Sequence, residues 1–391
     1  MRTDSSAYET EPTPEDDGGI TIERIETYAL SVPLARPMAD ATWTRPTWTV
    51  PVVELHTSDG LVGTGSSGVH AGEDLMCATI DRYFAPQLLG RSPFDIRGIW
   101  QRLYWSDVHW VARGGVVHMA QSMVDVALWD LAAQRSGLPL WRLLGGHHAD
   151  LRSYNTDGGW LNRTVDELIE EMQDQVGQGW DRVKMKLGKS DWREDVARLQ
   201  AVREALPTHV ELMVDANQGW DLSGALRILP HLEELEVGWL EEPLHPDDVD
   251  GHRRLQEASR IPIALGESVY SHHAFSQFIR AGAVRVVQVD VTRVAGVTEW
   301  LQVAAEAGAH GLWVVPHAGD MMQVHQHLVA STLAPTPAMI EYIPWTLEVY
   351  EYPCIVERGT VRLPPEPGAS TRVRADARER WAIPGLNGVT A

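Results

Sequence analysis

The sequence predicts an α/β fold: a (β/α)8-type barrel over residues 151–345, preceded by an α+β region over residues 20–150. Three observations carry this. From residue 151 onward, short apolar strands alternate with amphipathic stretches in a regular rhythm. Before that point strands come first and helices after. Seven consecutive barrel strands each end in an ionisable side chain, at the end where such barrels hold their chemistry.

The elements follow in order. Residues 1–19, rich in Glu, Asp, Thr, Pro and Gly, read as a disordered tail. Residues 20–65 read as strands: ITIERIETYALSVPL, then WTVPVVELHTSDGLVGTGSS. A Ser-Asp-Gly turn joins VVELHT to LVGTGS, a hairpin signal. Residues 72–145 read as helices. The stretch HMAQSMVDVALWDLAAQRSG has apolar residues at helical spacing and stops at Gly137, with Pro139 just beyond. The barrel strands are LRSYNT, RVKMKL, VELMVDA, VGWLEEP, IPIALGE, VRVVQVD, LWVVPH and AMIEYI, starting roughly 23–31 residues apart. Between them lie helical stretches such as REDVARLQAVREAL and TEWLQVAAEAG. The eighth strand has no partner helix. Residues 346–391 hold turns, prolines and another strand, CIVERGTVRLP, and are expected to fold back onto the N-terminal region.

Composition sets bounds. A chain of 391 residues exceeds one simple domain, so a barrel plus a second domain is expected. Acidic residues outnumber basic ones 54 to 33, for a formal charge of −21. That argues against nucleic acid and anionic membrane surfaces as partners, since both need a basic footprint. No run approaches the 18 or so apolar residues that a spanning helix needs. The start, MRTDSSAYETEPTPEDDGG, has no apolar core and does not read as a signal peptide. Cys77 and Cys354 stand far apart, in neither a metal pattern nor a disulfide framework. They read as buried free thiols, and a cytoplasmic location is expected.

The strand ends carry the chemistry. In VKMKLG, Lys184 and Lys186 are two residues apart on a strand and so share a face. The following strands end in Asp215 with Asn217, Glu241 with Glu242, Glu267, Asp290, His317 and Glu341. One such charge is ordinarily just solvated. Seven converging on one rim must neutralise each other or a metal. Asp215, Glu241 and Glu267, on three neighbouring strands, form an all-oxygen site suited to Mg²⁺. Pairing with the two lysines alone would leave three carboxylates net negative. Asp290 can hold the imidazole of His317, one strand on, and raise its basicity. His325 and His327 lie on what reads as a helix and are taken as structural. The lysine pair explains itself in this frame. Lys184 disfavours a second ammonium beside it, lowering the pKa of Lys186 toward neutrality. Lys186 then serves as a general base while Lys184 stays charged and binds an anion.

This set of strand ends resembles the enolase superfamily, specifically its mandelate racemase-like branch. The resemblance rests on the Lys-x-Lys of Lys184 and Lys186, Asp215, Glu241 in EEP, Glu267 in GES, the Asp290–His317 pair and Glu341. It covers nearly everything from residue 20 onward. SMVDVALWDLAAQRSGLPLWRLLGG is similar to the segment that ends the family's capping domain, and DVTRVAGVTE to its strand-six turn. The resemblance implies a modified TIM barrel, (β/α)7β, under an α+β capping domain built from the N-terminal region and the C-terminal tail. It implies one Mg²⁺ per subunit, a small-molecule carboxylate substrate, and a homo-oligomer, dimer or octamer. Two cap loops, around Trp43–Trp48 and Ser66–His70, would close over the substrate.

The chemistry so implied begins with loss of the proton α to a carboxylate, through an enediolate. Lys186 and His317 would flank the α-carbon. Lys184 and Glu341 would bond the carboxylate oxygens, with Glu341 protonated so that it can donate. Asn217, Trp43, His70 and Asn155 are further candidates for substrate contact. Trp48, Asp157, Trp160 and His245 fit a hydroxylated ligand as a group, although each alone is more often structural. The Lys-x-Lys and His-Asp arrangement, with the PHAG stretch at His317, is most similar to acid-sugar dehydratases. Dehydration of an aldonate or aldarate to a 2-keto-3-deoxy acid is therefore expected, making the chain a hydro-lyase. Cycloisomerisation of a sugar lactone or anhydro-sugar acid, and racemisation or epimerisation of a 2-hydroxy acid, use the same parts. A non-catalytic sugar-acid binding protein would not need every one of these positions filled.

Overall fold

The computed structural model describes residues 19–147, 151–317, 321–333 and 338–391; nearly all of the expected N-terminal tail lies outside them. The chain begins with a long antiparallel ribbon. β1 (Ile22–Ala39) pairs with β2 (Thr44–Thr57), and β2 with β3 (Val62–Ser66) across the Ser-Asp-Gly turn. Helices follow, the longest being Val116–Arg135. Ile22, Ile25, Val53 and Leu55 bury against this helical layer through Met123, Ala127 and Leu131. The sheet's period of two and the helices' period of 3.6 thus meet in one core.

Eight parallel strands form the barrel: β4 (Leu151–Asn155), β5 (Arg182–Lys186), β6 (Glu211–Asp215), β7 (Leu240–Glu241), β8 (Ile263–Leu265), β9 (Val286–Val287), β10 (Trp313–Val314) and β11 (Met339–Tyr342). β4 to β10 pair in sequence, and β11 returns to β4. Helices follow β4 through β10, while β11 leads into turns. This is the (β/α)7β arrangement.

Alternation along β5 decides which residues reach the mouth. Val183, Met185 and Leu187 pack outward with the helical residues Leu199 and Val202, so Lys184 and Lys186 face inward. Below the mouth, Tyr154, Met213, Trp239 and Val286 form one apolar cluster. In LGES the glycine is required by a close approach. A Cβ on Gly266 would lie 2.4 Å from backbone atoms of Gln288, just past β9.

The C-terminal segment splits its allegiance. β12 (Ile355–Glu357) and β13 (Thr360–Arg362) form a hairpin that extends the barrel sheet beside β4. β14 (Ala382–Thr390) then pairs antiparallel with β1 in the cap. Cap and barrel are joined by an apolar interface that includes Tyr28, Val50, Trp160 and Tyr350. Cys77 and Cys354 are both buried free thiols. No helix among the described residues is long and apolar enough to cross a membrane.

Candidate active site

Ladder register brings the strand-end groups together. Lys186 is level with Asp215, and Asp215 with Glu241. Lys186 Nζ donates to Asp215 Oδ2 at 2.5 Å. Lys184 Nζ lies 2.7 Å from Glu241, 2.8 Å from Glu341 and 3.7 Å from Asp215. Oxygens of Asp215, Glu241 and Glu267 all lie within 4.8 Å of one another. On the other side, His317 Nδ1 is 2.7 Å from Asp290 Oδ2, and its Nε2 is 3.4 Å from Glu267 Oε2. The groups named at the strand ends therefore meet at one mouth, nearly all of them buried.

Two protonation expectations are corrected. Lys186 is not lowered toward neutrality. Burial, the largest influence, and Lys184 pull its pKa down, but without a cation the carboxylates of Asp215, Glu267 and Glu241 together outweigh them, and the net shift is upward. Glu341 is not protonated. Burial raises it, yet Lys184 and His317 hold it down at about 2. It is an ionised acceptor, bonded by Lys184 and by Thr156 Oγ1 at 2.7 Å. His317 behaves as expected: against burial, Glu267 and the Asp290 bond raise it to about 10.

The charges do not balance. Asp215, Glu241, Glu242, Glu267, Asp290 and Glu341 face Lys184, Lys186 and His317, with the Arg293 guanidinium acting on Asp290. Glu241 is pushed up by burial and by Asp215 even with Lys184 against it. Glu242 is driven well above its ordinary value by burial and then by Glu267 and Asp215. Such strain is what a bound divalent cation relieves. The donors are hard carboxylate oxygens at mutual distances one ion can bridge, so Asp215, Glu241 and Glu267 fit Mg²⁺. A cation sharing Asp215 would also withdraw that carboxylate from Lys186, and both effects lower the amine's pKa. A second cluster, Glu26, Glu54 and His56, is different. Arg378 lies 3.1 Å from Glu26 and 3.6 Å from Glu54, and Arg24 bonds His56, so its charge is already answered.

The remaining candidates are more scattered. Asn217 sits beyond Asp215 at φ +39°, its N–H bonded to Asp215 Oδ1 at 2.8 Å and its own Oδ1 buried without a partner. From the cap, His70 lies 5.9 Å from the half-exposed Trp43 and edge-on to Trp48 at 4.7 Å. Burial lowers His70 to about 4, so it is neutral. Trp48 packs on Trp345, Trp345 on Trp160, and Lys186 lies 5.4 Å from the Trp160 ring. An aromatic wall thus runs from the cap to the lysine. Asn155 and Asp157 line, with Trp160 and Trp345, a cavity of about 920 Å³ that none of the metal-site carboxylates lines. His245 is exposed beside Asp247.

Sequence reasoning missed several contributors. Glu242 is held by Gln218, which also bonds Ser268 at 2.7 Å. Thr292 donates twice to Asp290 Oδ1. His325, taken as structural, accepts from Val291 N at 3.0 Å and lies 3.8 Å from Asp290. It supports the dyad from behind as a neutral ring. His327 accepts from Trp141 N and meets Ser370, away from the mouth. Only the Asp-Val-Thr spacing of a strand-end Asx turn could have pointed to Thr292.

A barrel whose mouth pairs two lysines and a His-Asp dyad around three carboxylates defines a metal-assisted proton-abstraction enzyme by class. Family comparison agrees. Residues 24–145 match the mandelate racemase / muconate lactonizing enzyme N-terminal domain, and residues 167–377 match the enolase C-terminal domain-like family. The chain belongs to the enolase superfamily, in its mandelate racemase-like branch. It is 36% identical to L-talarate/galactarate dehydratase of Salmonella typhimurium, over 92% of each chain. It is 33% identical to 3,6-anhydro-alpha-L-galactonate cycloisomerase of Streptomyces coelicolor, over 93% of this chain and 99% of that one. A crystal structure of the Salmonella typhimurium dehydratase liganded with Mg and L-lyxarohydroxamate superposes with a TM-score of 0.89 at 33% identity, covering 98% of this chain and 97% of that one.

Proposed function

We propose that the chain is a Mg²⁺-dependent acid-sugar dehydratase, converting an aldonate or aldarate to its 2-keto-3-deoxy acid. The observation that carries this is the placement of two proton carriers, Lys186 on β5 and His317 after β10, with a three-carboxylate cluster between them. Mg²⁺ held by Asp215, Glu241 and Glu267 would supply Lewis-acid charge to the substrate carboxylate. Lys184, charged and buried, binds the same carboxylate. One carrier, neutral, takes the C2 proton, and the bonding pair moves into the carboxylate as an enediolate. The pair then returns to form the C2–C3 double bond as the C3 hydroxyl leaves, protonated to water by the other carrier. The enol gains a proton at C3 and becomes the keto acid. Asp290 holds the ring of His317 throughout. Trp43, His70 and Asn217 contact the rest of the substrate, while Asn155 lines the neighbouring cavity. The relative of 33% identity that is a cycloisomerase supports a second reading, in which the enediolate closes or opens a sugar ring.

The enzyme acts as a homo-oligomer on a small soluble acid in the cytoplasm. Exposed Trp105, Trp110 and Val111 on one short cap segment support a subunit contact, and two buried unpaired cysteines fit a reducing compartment. The test is a screen of mono- and diacid sugars in all available configurations with Mg²⁺, reading 2-keto acids as semicarbazones. A positive acid whose conversion is lost with EDTA is expected. Solvent-deuterium exchange at C2 without keto product would point instead to racemisation. Neither signal with the open-chain acids, together with turnover of a sugar lactone or anhydro-sugar acid, would favour the cycloisomerase reading.

A further inference from the structure

Arg293 lies in DVTRVAG, between the Asp290 that holds His317 and the helix Val297–Ala309. Its Nε donates to the carbonyl of Glu267 at 3.2 Å. Its Nη1 donates to the carbonyl of Gly68 at 3.2 Å and to Thr292 Oγ1 at 3.4 Å, and lies 3.8 Å from Met119 Sδ. One guanidinium therefore touches a strand end of the metal cluster, the cap loop that carries His70, the cap's long helix, and its own turn.

The contact with Thr292 continues inward. The Thr292 hydroxyl has one proton and gives it to Asp290 Oδ1 at 2.9 Å, so toward Arg293 it can only accept. The Thr292 N–H donates to the same oxygen at 2.8 Å. The other carboxylate oxygen, Asp290 Oδ2, holds His317 Nδ1 at 2.7 Å. An unbroken chain of hydrogen bonds thus runs from a main-chain carbonyl of the capping domain to the imidazole of the barrel. Arginine suits the junction because its planar fork serves acceptors in different directions at once, which an ammonium on a single flexible stem cannot reproduce.

We propose that Arg293 is a positioning residue that couples the seating of the cap loop at residues 66–70 to the orientation of the Asp290–His317 pair. The proposal rests on the reading of His317 as a proton carrier. Closure of the cap would then set the geometry of the base or acid at the moment the site is covered, through a contiguous physical path.

The test uses the Mg²⁺-loaded full chain with ¹⁵N-labelled histidines, without substrate. His317→Asn identifies the low-field Nδ1–H resonance of His317 by removing it. In Arg293→Gln that resonance should shift or vanish into solvent exchange. Amides of the segment 62–72 should exchange about tenfold faster, the scale of one lost charge-assisted hydrogen bond. Arg293→Lys keeps the charge without the fork and should move both readouts the same way, by less. It also carries the comparison if Arg293→Gln does not fold. A loosened loop with an unchanged His317 resonance would make Arg293 a tie between domains only, and would overturn the coupling. Wild-type behaviour of Arg293→Lys would overturn it too, because charge alone would then suffice. Persistence of the low-field resonance in His317→Asn would instead sink the dyad reading itself.

Discussion

Lys186 and His317 can share the proton work only if one is neutral when the other is charged. Their surroundings push both upward: Asp215 acts on Lys186, Glu267 and Asp290 on His317. A cation on Asp215 and Glu267 weakens both pushes at once. The two side chains should then be separable by kinetics. Replacing the group that takes the C2 proton should lower both keto-acid formation and C2 deuterium exchange by about 10²–10⁴-fold, the usual scale of general acid–base catalysis. Replacing the other should lower product formation while exchange continues. Lys186→Ala and His317→Ala, compared by ¹H NMR in D₂O, should therefore differ. Equal loss of exchange in both would count against a two-carrier dehydration. The lysine pair itself was legible in VKMKLG because a period of two fixes the face. The direction of its pKa shift was not legible. That depends on Asp215 lying 2.5 Å away through inter-strand register, which no local pattern encodes. Glu341 failed the same way, its charge being set by Lys184 from another strand.

The helices of the barrel show how elements are locked to the site. Most begin with a local cap: Thr164 with Glu167, then Asp191, Asp221, Asp248 and Ser271. Helix Val297–Ala309 has none of its own, since Gly296 precedes it. Asp125, on the cap helix Val116–Arg135, fills the role by accepting from Thr298 N at 2.8 Å and Thr298 Oγ1 at 2.7 Å. Gly296, at φ +98°, leaves the room; a Cβ there would lie 2.4 Å from Asp125. Asp125 is thus a buried carboxylate joining cap to barrel directly after the turn of Asp290 and Arg293. Burial, only partly offset by Thr298, raises it to about 7. Below about pH 4 it is protonated whether folded or unfolded. As pH rises toward 7 the unfolded chain ionises there while the folded one must keep the proton, so stability is lost across that window. Asp125→Asn removes this term. From pH 5 to pH 7 the wild type should lose on the order of 2 kcal/mol relative to the variant, read from urea unfolding at both pH values. An unchanged difference would show that Asp125 stays ionised in the fold. The strands and the long helix could be read from sequence because their periods are local. This cap could not, since its partners are 173 residues apart. Nor could the pairing of β13 with β4, where nothing in CIVERGTVRLP names the sheet it joins.

At the scale of the whole molecule, the site lies where two independently patterned units meet, and its charge is the cost of holding it there. Six carboxylates face two ammoniums, one imidazole and the Arg293 guanidinium at the mouth, in a chain already at −21. Folding without a cation therefore works against the site. Binding one should stabilise the folded chain by about 2.7 kcal/mol at a hundredfold excess over Kd. Glu267 isolates this effect from the lysine pairs. Its carboxylate lies 3.4 Å from His317 and its main-chain carbonyl accepts from Arg293, whereas the carboxylates of Asp215 and Glu241 are bound directly to ammoniums. Glu267→Gln should remove the Mg²⁺-dependent rise in Tm. At the same time it relieves Glu242, whose proton affinity Glu267 raises. The metal-free stability should accordingly hold or rise in the variant, by the few tenths to about one kcal/mol typical of removing a like-charge contact, and the metal-free Tm with it. Calorimetry with EDTA and with Mg²⁺ gives both numbers on the same protein. A metal-free Tm that falls sharply would mean the His317 contact outweighs the repulsion, so that the cluster is a folded-state ion-pair network. A Mg²⁺ shift that survives the substitution would place the cation away from β8.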